Sequence, residues 1–314
     1  MRKTCLDMVH ELAKRDERIV FIGSDLGVGT LDGFKKEFPD RFFMEGVSEA
    51  NVVGMAAGLA LEGKIVYVNT IATFLTRRCF EQVVLDLGLH NANVRLIGNG
   101  GGVVYAPLGP THLAIDDIAI MRAIPNMTIV APCDAKEMAR LMPLTVEHRG
   151  PIYIRLGKGG DPIVSSDAMP FAIGRAISIV RGDDALIVST GITLKIALDA
   201  AAGLEAQGIS AGVLHMPTIK PLDVAAFLSH AAPVEAIVVV EEHSVIGGLG
   251  AALAEVVAEA AFEPAKRFKR IGLPDVFPHG YGSQATMMAK YDITSARTMD
   301  VVRELLAVRP ARTS

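Results

Sequence analysis

Two consecutive α/β domains, each a mostly parallel sheet covered by helices, are the fold this sequence predicts. Three observations carry that expectation. The apolar pattern switches repeatedly between short β-rich runs and stretches of helical period, as βαβ units require. The 314 residues suit two domains of roughly 150 residues each. One break in composition, Gly157 to Pro170, rich in Gly, Ser, Pro and Asp, divides the chain near its middle.

In the first domain Cys5, Met8, Val9 and Leu12 lie at helical spacing, and Ile19–Ile22 follows as a short strand ending at Gly23. A helix is expected over Glu49–Leu61 and a strand over Lys64–Asn69. Further strands are expected at Val94–Gly98, Met127–Ala131 and Ile152–Arg155, separated by helices near Glu81–Leu89, Ile115–Ala123 and Ala135–Val146. Short apolar strands alternating with helices read as a parallel sheet buried on both faces. The second alternation places strands at Ala176–Val180, Ala185–Ser189, Ser210–Leu214 and Ala236–Val240. Helices at Leu194–Ala206, Val224–Ser229 and Leu249–Ala261 interleave with them, and Thr298–Ala307 closes the chain as a helix. The boundaries drawn from this pattern are a first domain over 1–156, a linker over 157–174 and a second domain over 175–314.

Half the residues are apolar and a fifth are charged, which supports a well-buried core and argues against disorder. With 31 basic against 35 acidic side chains the net charge is −4, so there is no basic field to hold a nucleic acid or an anionic membrane. Cys5, Cys79 and Cys133 are far apart, an odd number without metal-ligand spacing, and read as buried reduced thiols. Met1 to Glu17 has no apolar signal core, and no apolar run reaches the ~18 residues of a membrane span. A soluble, cytoplasmic protein is expected.

The glycine clusters are weak nucleotide signals. After Val238–Val240 come Glu241 and Glu242, and only then Gly247, Gly248 and Gly250 before a helix. A dinucleotide fingerprint needs its glycines directly after the strand, so a tight packing turn is the better reading. Gly98-Asn99-Gly100-Gly101-Gly102 leads into Val103, Val104 and Tyr105 rather than a helix, and reads as a flexible active-site loop. Gly157-Lys158-Gly159-Gly160 lacks the Walker pattern, and the eight histidines form no zinc motif. His112, ending Gly109-Pro110-Thr111-His112, lies beyond a strand end, where open α/β sheets collect ligands. Taken alone, Glu49 reads as a carboxylate complementing a helix dipole, with Ser48 as the cap.

The ordered company of these residues changes their meaning. Gly46-Val47-Ser48-Glu49-Ala50-Asn51, then Met55 to Ala60, Ala72-Thr73-Phe74-Leu75 to Phe80, Gly109 to His112, Ile124 to Met127, Ala131 to Asp134 and Tyr153-Ile154-Arg155 resemble, in this order, the pyrimidine-binding domain of the thiamine-diphosphate enzymes of the transketolase family. Lys220-Pro221-Leu222-Asp223 and Val240 through Gly250 resemble that family's smaller C-terminal α/β domain. Each piece is weak, but the ordered set covers nearly the whole chain.

The resemblance implies a role for each matching residue. Glu49 would share a proton with N1′ of the cofactor's aminopyrimidine, which lets the 4′-amino group remove the otherwise unreactive C2 proton. Such a carboxylate needs a water-poor pocket. Phe74 would pack on the pyrimidine and Phe80 near it. Asp25 and Leu26 resemble the pair beside the thiazolium. His112 would bond a sugar oxygen near the reacting carbon, and Arg155, with Arg2 as a second arginine, would grip a terminal phosphate. Leu108 stands where an aspartate usually reads a sugar hydroxyl, and Asn99 and glycines replace a histidine, so the sugars are expected to differ from ordinary pentose phosphates.

The family's diphosphate-binding domain, with Gly-Asp-Gly and a later Asn completing a magnesium site, has no counterpart here; Gly182-Asp183-Asp184 enters a strand instead. The resemblance therefore implies the C-terminal subunit of a two-component transketolase, moving a two-carbon ketol unit from a ketose to an aldose through a thiamine-bound intermediate. Its partner would be the N-terminal diphosphate-binding subunit, carrying the Mg²⁺ ligands, in an α₂β₂ heterotetramer. The rival readings are the β subunit of a 2-oxo-acid dehydrogenase or a deoxyxylulose-phosphate-type synthase, and a non-catalytic nucleotide-binding or flavoprotein-like module.

Overall fold

The computed structural model describes residues 1–24, 29–157 and 159–307. Two sheets organise them. The first contains β1 (Ile19–Gly23), β2 (Phe42–Met44), β3 (Ile65–Ile71), β4 (Val94–Asn99), β5 (Thr128–Val130) and β6 (Ile152–Leu156), all parallel. Its helices are α1 (Arg2–Ala13), α2 (Asp32–Glu37), α3 (Glu49–Leu61), the single turn α4 (Phe80–Gln82), α5 (Asp117–Arg122) and α6 (Ala135–Glu147). The second contains β7 (Ile177–Val180), β8 (Ala185–Ser189), β9 (Ala211–His215), β11 (Ala236–Ser244) and β12 (Arg267–Leu273), in the order β12-β11-β8-β9-β7. It carries α7 (Leu194–Glu205), α8 (Val224–Ala231), α9 (Leu249–Glu259), α10 (Gln284–Lys290) and α11 (Ser295–Ala307).

One strand crosses between the two halves. β10 (Thr218–Lys220) follows β9 in sequence yet pairs antiparallel with β5, giving the first sheet the order β10-β5-β6-β4-β3-β1-β2. The cores merge at that seam: Ile129 and Ala131 of the first half belong to one apolar cluster with Leu186, Val188, Leu214 and Phe227 of the second. No helix among the described residues is long and apolar enough to cross a membrane.

The order within the first sheet positions the site. The connection from β1 runs outward to β2, whereas that from β3 runs the opposite way to β4. The crevice beyond the carboxyl ends of β1 and β3 is therefore a topological switch point, where α/β sheets bind ligands. Glu49, at the start of α3, Phe74, after β3, and His112, after β4, all lie in segments that follow strand ends.

Several elements escaped the periodicity reading. β2, β10, α2 and α10 are short, and β12 (RFKRIGL) carries charges on a half-exposed edge. The stretch expected as one helix over 81–89 is a single α turn followed by a π-helix, Val83–Leu89, and another π turn spans Phe74–Arg78. Thr76 Oγ1 and Cys79 Sγ donate to the carbonyls of Ala72 and Leu75, four residues back, at 3.0 and 3.1 Å. Such back-bonding competes with the backbone ladder and widens the turn.

Residues 157–174 contain no helix or strand among the described residues, but they are pinned. The buried Asp134 carboxylate caps α6 through the Glu137 N–H at 2.9 Å, and accepts the N–H groups of Val164 and Ser165 and the Ser165 hydroxyl at 2.8, 2.6 and 2.8 Å. Burial pushes this carboxyl up, yet these donors together hold it below its ordinary value of 3.8. Its stabilising effect is therefore fully present above that pH and is lost as pH falls through the lower folded value. Asp134→Ala should cost about 3 kcal/mol at neutral pH. Urea unfolding should also show the gap from wild type closing below pH 3.8; a gap independent of pH would mean the carboxylate charge is not what pins the segment.

Candidate active site

α3 begins at Glu49 and packs Val52, Val53, Ala56, Ala57 and Ala60 into the core. Its small side chains allow close approach to the sheet, and that approach buries the Glu49 carboxylate, which is 1% exposed. Ser48 does not cap the helix as the sequence suggested. Its hydroxyl turns back to the Glu45 carbonyl at 2.9 Å. Glu49 is thus a buried carboxylate at a helix N-terminus rather than a surface complement to the dipole.

What meets it comes from the π turn. With more residues per turn than an α-helix, this segment brings Arg78 back over Phe74: the guanidinium carbon lies 4.1 Å from the ring centroid. Arg78 Nη1 donates to Glu49 Oε2 at 2.8 Å. Phe74 also meets His112 edge to face, with ring centroids 5.3 Å apart. The neighbouring Arg77 ties the same turn to the Pro-Thr-His loop through the Leu113 carbonyl at 3.2 Å. Glu49, Phe74 and His112, more than 60 positions apart in sequence at the extremes, are therefore gathered around Arg78. Sequence reading passed over Arg78 because no spacing rule links it to Glu49; only the π turn does.

Phe80 lies on α4 at the surface, 36% exposed, and among the described residues makes no ring contact with Phe74. Asp25 and Leu26 lie outside the described residues. Arg2 lines a separate cleft of about 490 Å³ between the start of α1 and the segments Gly29–Leu31 and Gly159–Gly160. Leu108 is exposed, beside the equally exposed Tyr281, whose ring comes close to Gly109.

Arg155 departs most from its expected role. It is 7% exposed, with Nε donating to the buried Asp117 at 2.8 Å and Nη2 to the carbonyls of Ala114 and Glu242 at 3.3 and 2.8 Å. Tyr153 donates its hydroxyl to the same Asp117 carboxylate at 2.7 Å. Burial works against the guanidinium's charge, but Asp117 and Glu242 outweigh it and hold its pKa above the ordinary value. Only Nη1 has no hydrogen-bond partner among the described residues. Arg155 is thus mainly the core of a buried network joining both halves of the chain.

The glycine loop expected to be flexible is packed on that network. Gly98 to Val103 are buried, and Gly102 and Ala114 exchange backbone hydrogen bonds at 2.9 and 3.0 Å. A Cβ on Gly102, whose φ is +70°, would fall 2.4 Å from the Glu242 carboxyl carbon, and one on Gly101 2.7 Å from the Arg155 side chain. Glu242 accepts the Val103 N–H at 2.8 Å and the Gln284 amide at 2.9 Å, while burial pushes its carboxyl up to about 7.

The other glycine cluster serves Glu241, whose carboxylate accepts the N–H groups of Leu249 and Gly250 at 2.8 and 2.9 Å. The N-terminus of α9 is filled by the chain's own anion, which leaves no place for a dinucleotide diphosphate. Cys133, Glu137 and His215 also converge, within 4.8 Å and fully buried. Glu137 links them by accepting the Cys133 N–H at 2.6 Å and bonding His215 Nε2 at 3.2 Å. A thiol and an imidazole are poor ligands for magnesium, which prefers oxygen. This cluster joins α6 to β9 and lies apart from the Glu49 site in the fold.

A buried carboxylate beside an aromatic face suits a flat heterocycle that can share a proton with it, so the residues present fit an aminopyrimidine. Comparison with known proteins points the same way. The family profile described as the transketolase pyrimidine-binding domain matches residues 1–160, and that of the transketolase C-terminal domain matches residues 174–297. One of the two apulose-4-phosphate transketolase subunits of Phocaeicola vulgatus is 41% identical over 87% of this chain and 87% of its own. The 6-deoxy-6-sulfo-D-fructose transketolase subunit SqwH of a Clostridium species is 36% identical over 95% of each. A solved structure described as a split gene transketolase, inactive beta4 tetramer, superposes with a TM-score of 0.90 at 36% identity, covering 98% of this chain and 99% of that one.

Proposed function

This chain belongs to the transketolase family, and we propose that it is the pyrimidine-binding half of a two-component transketolase, with a separate subunit supplying the diphosphate site. The observation that carries the reading is the buried Glu49 carboxylate set against the Phe74 face and His112 at the switch point of the first sheet. Relatives of this length are named as transketolase subunits, and the chain spans most of their length.

Thiamine diphosphate, when bound, supplies a nucleophilic carbon and an electron sink for breaking a bond beside a carbonyl. The work of this chain's residues is narrower. Glu49 holds a proton at the ring nitrogen that faces it, in a pocket from which its burial excludes water. Phe74 orients the ring without competing hydrogen bonds. His112, its Nδ1 engaged with Thr111 Oγ1 at 2.9 Å, directs its other nitrogen toward the sugar end of the site. Arg155 holds the glycine loop in place and offers Nη1, and Arg2 stands ready at its own cleft for a terminal anion. Asp25 and Leu26 complete the cofactor side, with Phe80 at its rim. Residues 1–156 form the pyrimidine-binding domain, 157–174 the connector and 175–314 the C-terminal domain.

The magnesium ligands belong to the partner, because a diphosphate-bound Mg²⁺ requires fixed oxygen ligands that this site does not gather. Two copies of each subunit in an α₂β₂ assembly satisfy closed symmetry. A soluble cytoplasmic setting suits sugar or sugar-phosphate substrates. Leu108 cannot hydrogen-bond a hydroxyl, which points to a ketose or aldose modified at the carbon an aspartate would read.

The test is reconstitution with a diphosphate-binding subunit and a panel of donors. Ketose phosphates or modified ketoses should support two-carbon transfer to an aldose, and 2-oxo acids should not. Turnover of 2-oxo acids alone would assign the chain to the rival dehydrogenase or synthase reading.

A further inference from the structure

We propose that Arg78 is a built-in occupant of the pyrimidine seat, which the cofactor ring must displace in order to bind. The inference rests on the reading of Glu49 and Phe74 as that seat, and adds to it a competitor carried by the chain itself.

The geometry is specific. Arg78 makes two contacts, and each is one that the seat is built to offer a ligand. Nη1 donates to Glu49 Oε2 at 2.8 Å, and the guanidinium carbon lies 4.1 Å from the Phe74 centroid. A guanidinium is a flat, delocalised cation bearing N–H donors in its plane. An aminopyrimidine protonated opposite Glu49 presents the same features: a flat face for the aromatic ring and an in-plane N–H for the carboxylate. Two planar groups cannot both lie on the same face of Phe74 while donating to the same oxygen. The side chain is free to leave, being 45% exposed, whereas Glu49 is 1% exposed and fixed at the start of α3.

The arrangement has a physical purpose. A buried carboxylate without a partner is costly, and Arg78 compensates Glu49 until a ligand arrives. The same contact lowers the apparent affinity for the ring by the fraction of time the seat is filled. Arg78 is a gating residue in this sense; the proposal gives it no part in the chemical step.

The chain contains no tryptophan, so Phe74→Trp creates a single fluorophore inside the seat. Thiamine, which carries the pyrimidine without the diphosphate, is titrated into the full chain in this background and in the same background with Arg78→Ala or Arg78→Lys. Removing Arg78 should tighten thiamine binding by about tenfold, the scale of a lost competing cation–π and charge-assisted contact. Lysine, which keeps the charge but not the plane, should fall between. Ethylguanidinium should compete with thiamine in the alanine variant and not in the parent. Thermal melts identify a variant that has not folded, in which case the lysine variant carries the test.

Thiamine binding that is equal or weaker without Arg78 overturns the proposal and leaves the pyrimidine reading intact. If ethylguanidinium seats in the alanine variant while thiamine binds no variant, the pyrimidine reading fails and the gate fails with it. Absence of binding by either probe overturns the gate as well.

Discussion

Glu49→Gln in the assembled two-subunit enzyme should lower turnover by about three orders of magnitude, the scale of losing a positioned proton partner in a buried site. Glutamine keeps the shape and cannot hold the proton. The fold should be unaffected, because the pairing lost is to Arg78, which is half exposed. The check is steady-state kinetics beside a thermal melt. Activity within tenfold of wild type, with the melt unchanged, would remove Glu49 from the mechanism.

Arg155→Met should act on the fold instead. The exchange strips the buried Asp117 of its cation and leaves the carbonyls of Ala114 and Glu242 without a donor. Breaking a buried pair from one side costs about 3–5 kcal/mol. Denaturant unfolding should show that loss in the chain alone, before any partner or sugar is present. Native-like stability combined with weakened use of phosphorylated sugars alone would restore the phosphate-gripping role that the sequence motif implied.

The contrast between these two residues shows where sequence reading succeeds and stops. Glu49 was legible because it opens a long apolar helix in a recognisable string, and α3 runs over the residues its pattern predicts. β8 likewise follows its continuous apolar run. Arg155 was legible as a motif position, but its partner Asp117 lies 38 residues away on another element, and nothing in local periodicity announces that pairing. Arg78 is a stronger case: its meeting with Glu49 depends on a π turn made by Thr76 and Cys79 bonding backward, and an α-helical template cannot express it. The glycines of residues 98–102 suggested freedom, whereas they serve close packing against Arg155 and Glu242.

The strand β10 sets a limit on how this protein can be divided. An uncovered sheet edge is an open template for pairing with other chains, and β5 would present one if the first half ended before residue 218. Three residues from the second half close that edge, and Lys220 secures them by donating to the carbonyls of Arg122 and Ile124 at 2.9 and 2.5 Å. The two halves match separate family profiles, yet they are not interchangeable modules. A fragment cut in the connector would carry the whole pyrimidine seat and still be prone to aggregate, because the piece that keeps it solitary is encoded some sixty residues downstream, in what looks like another domain.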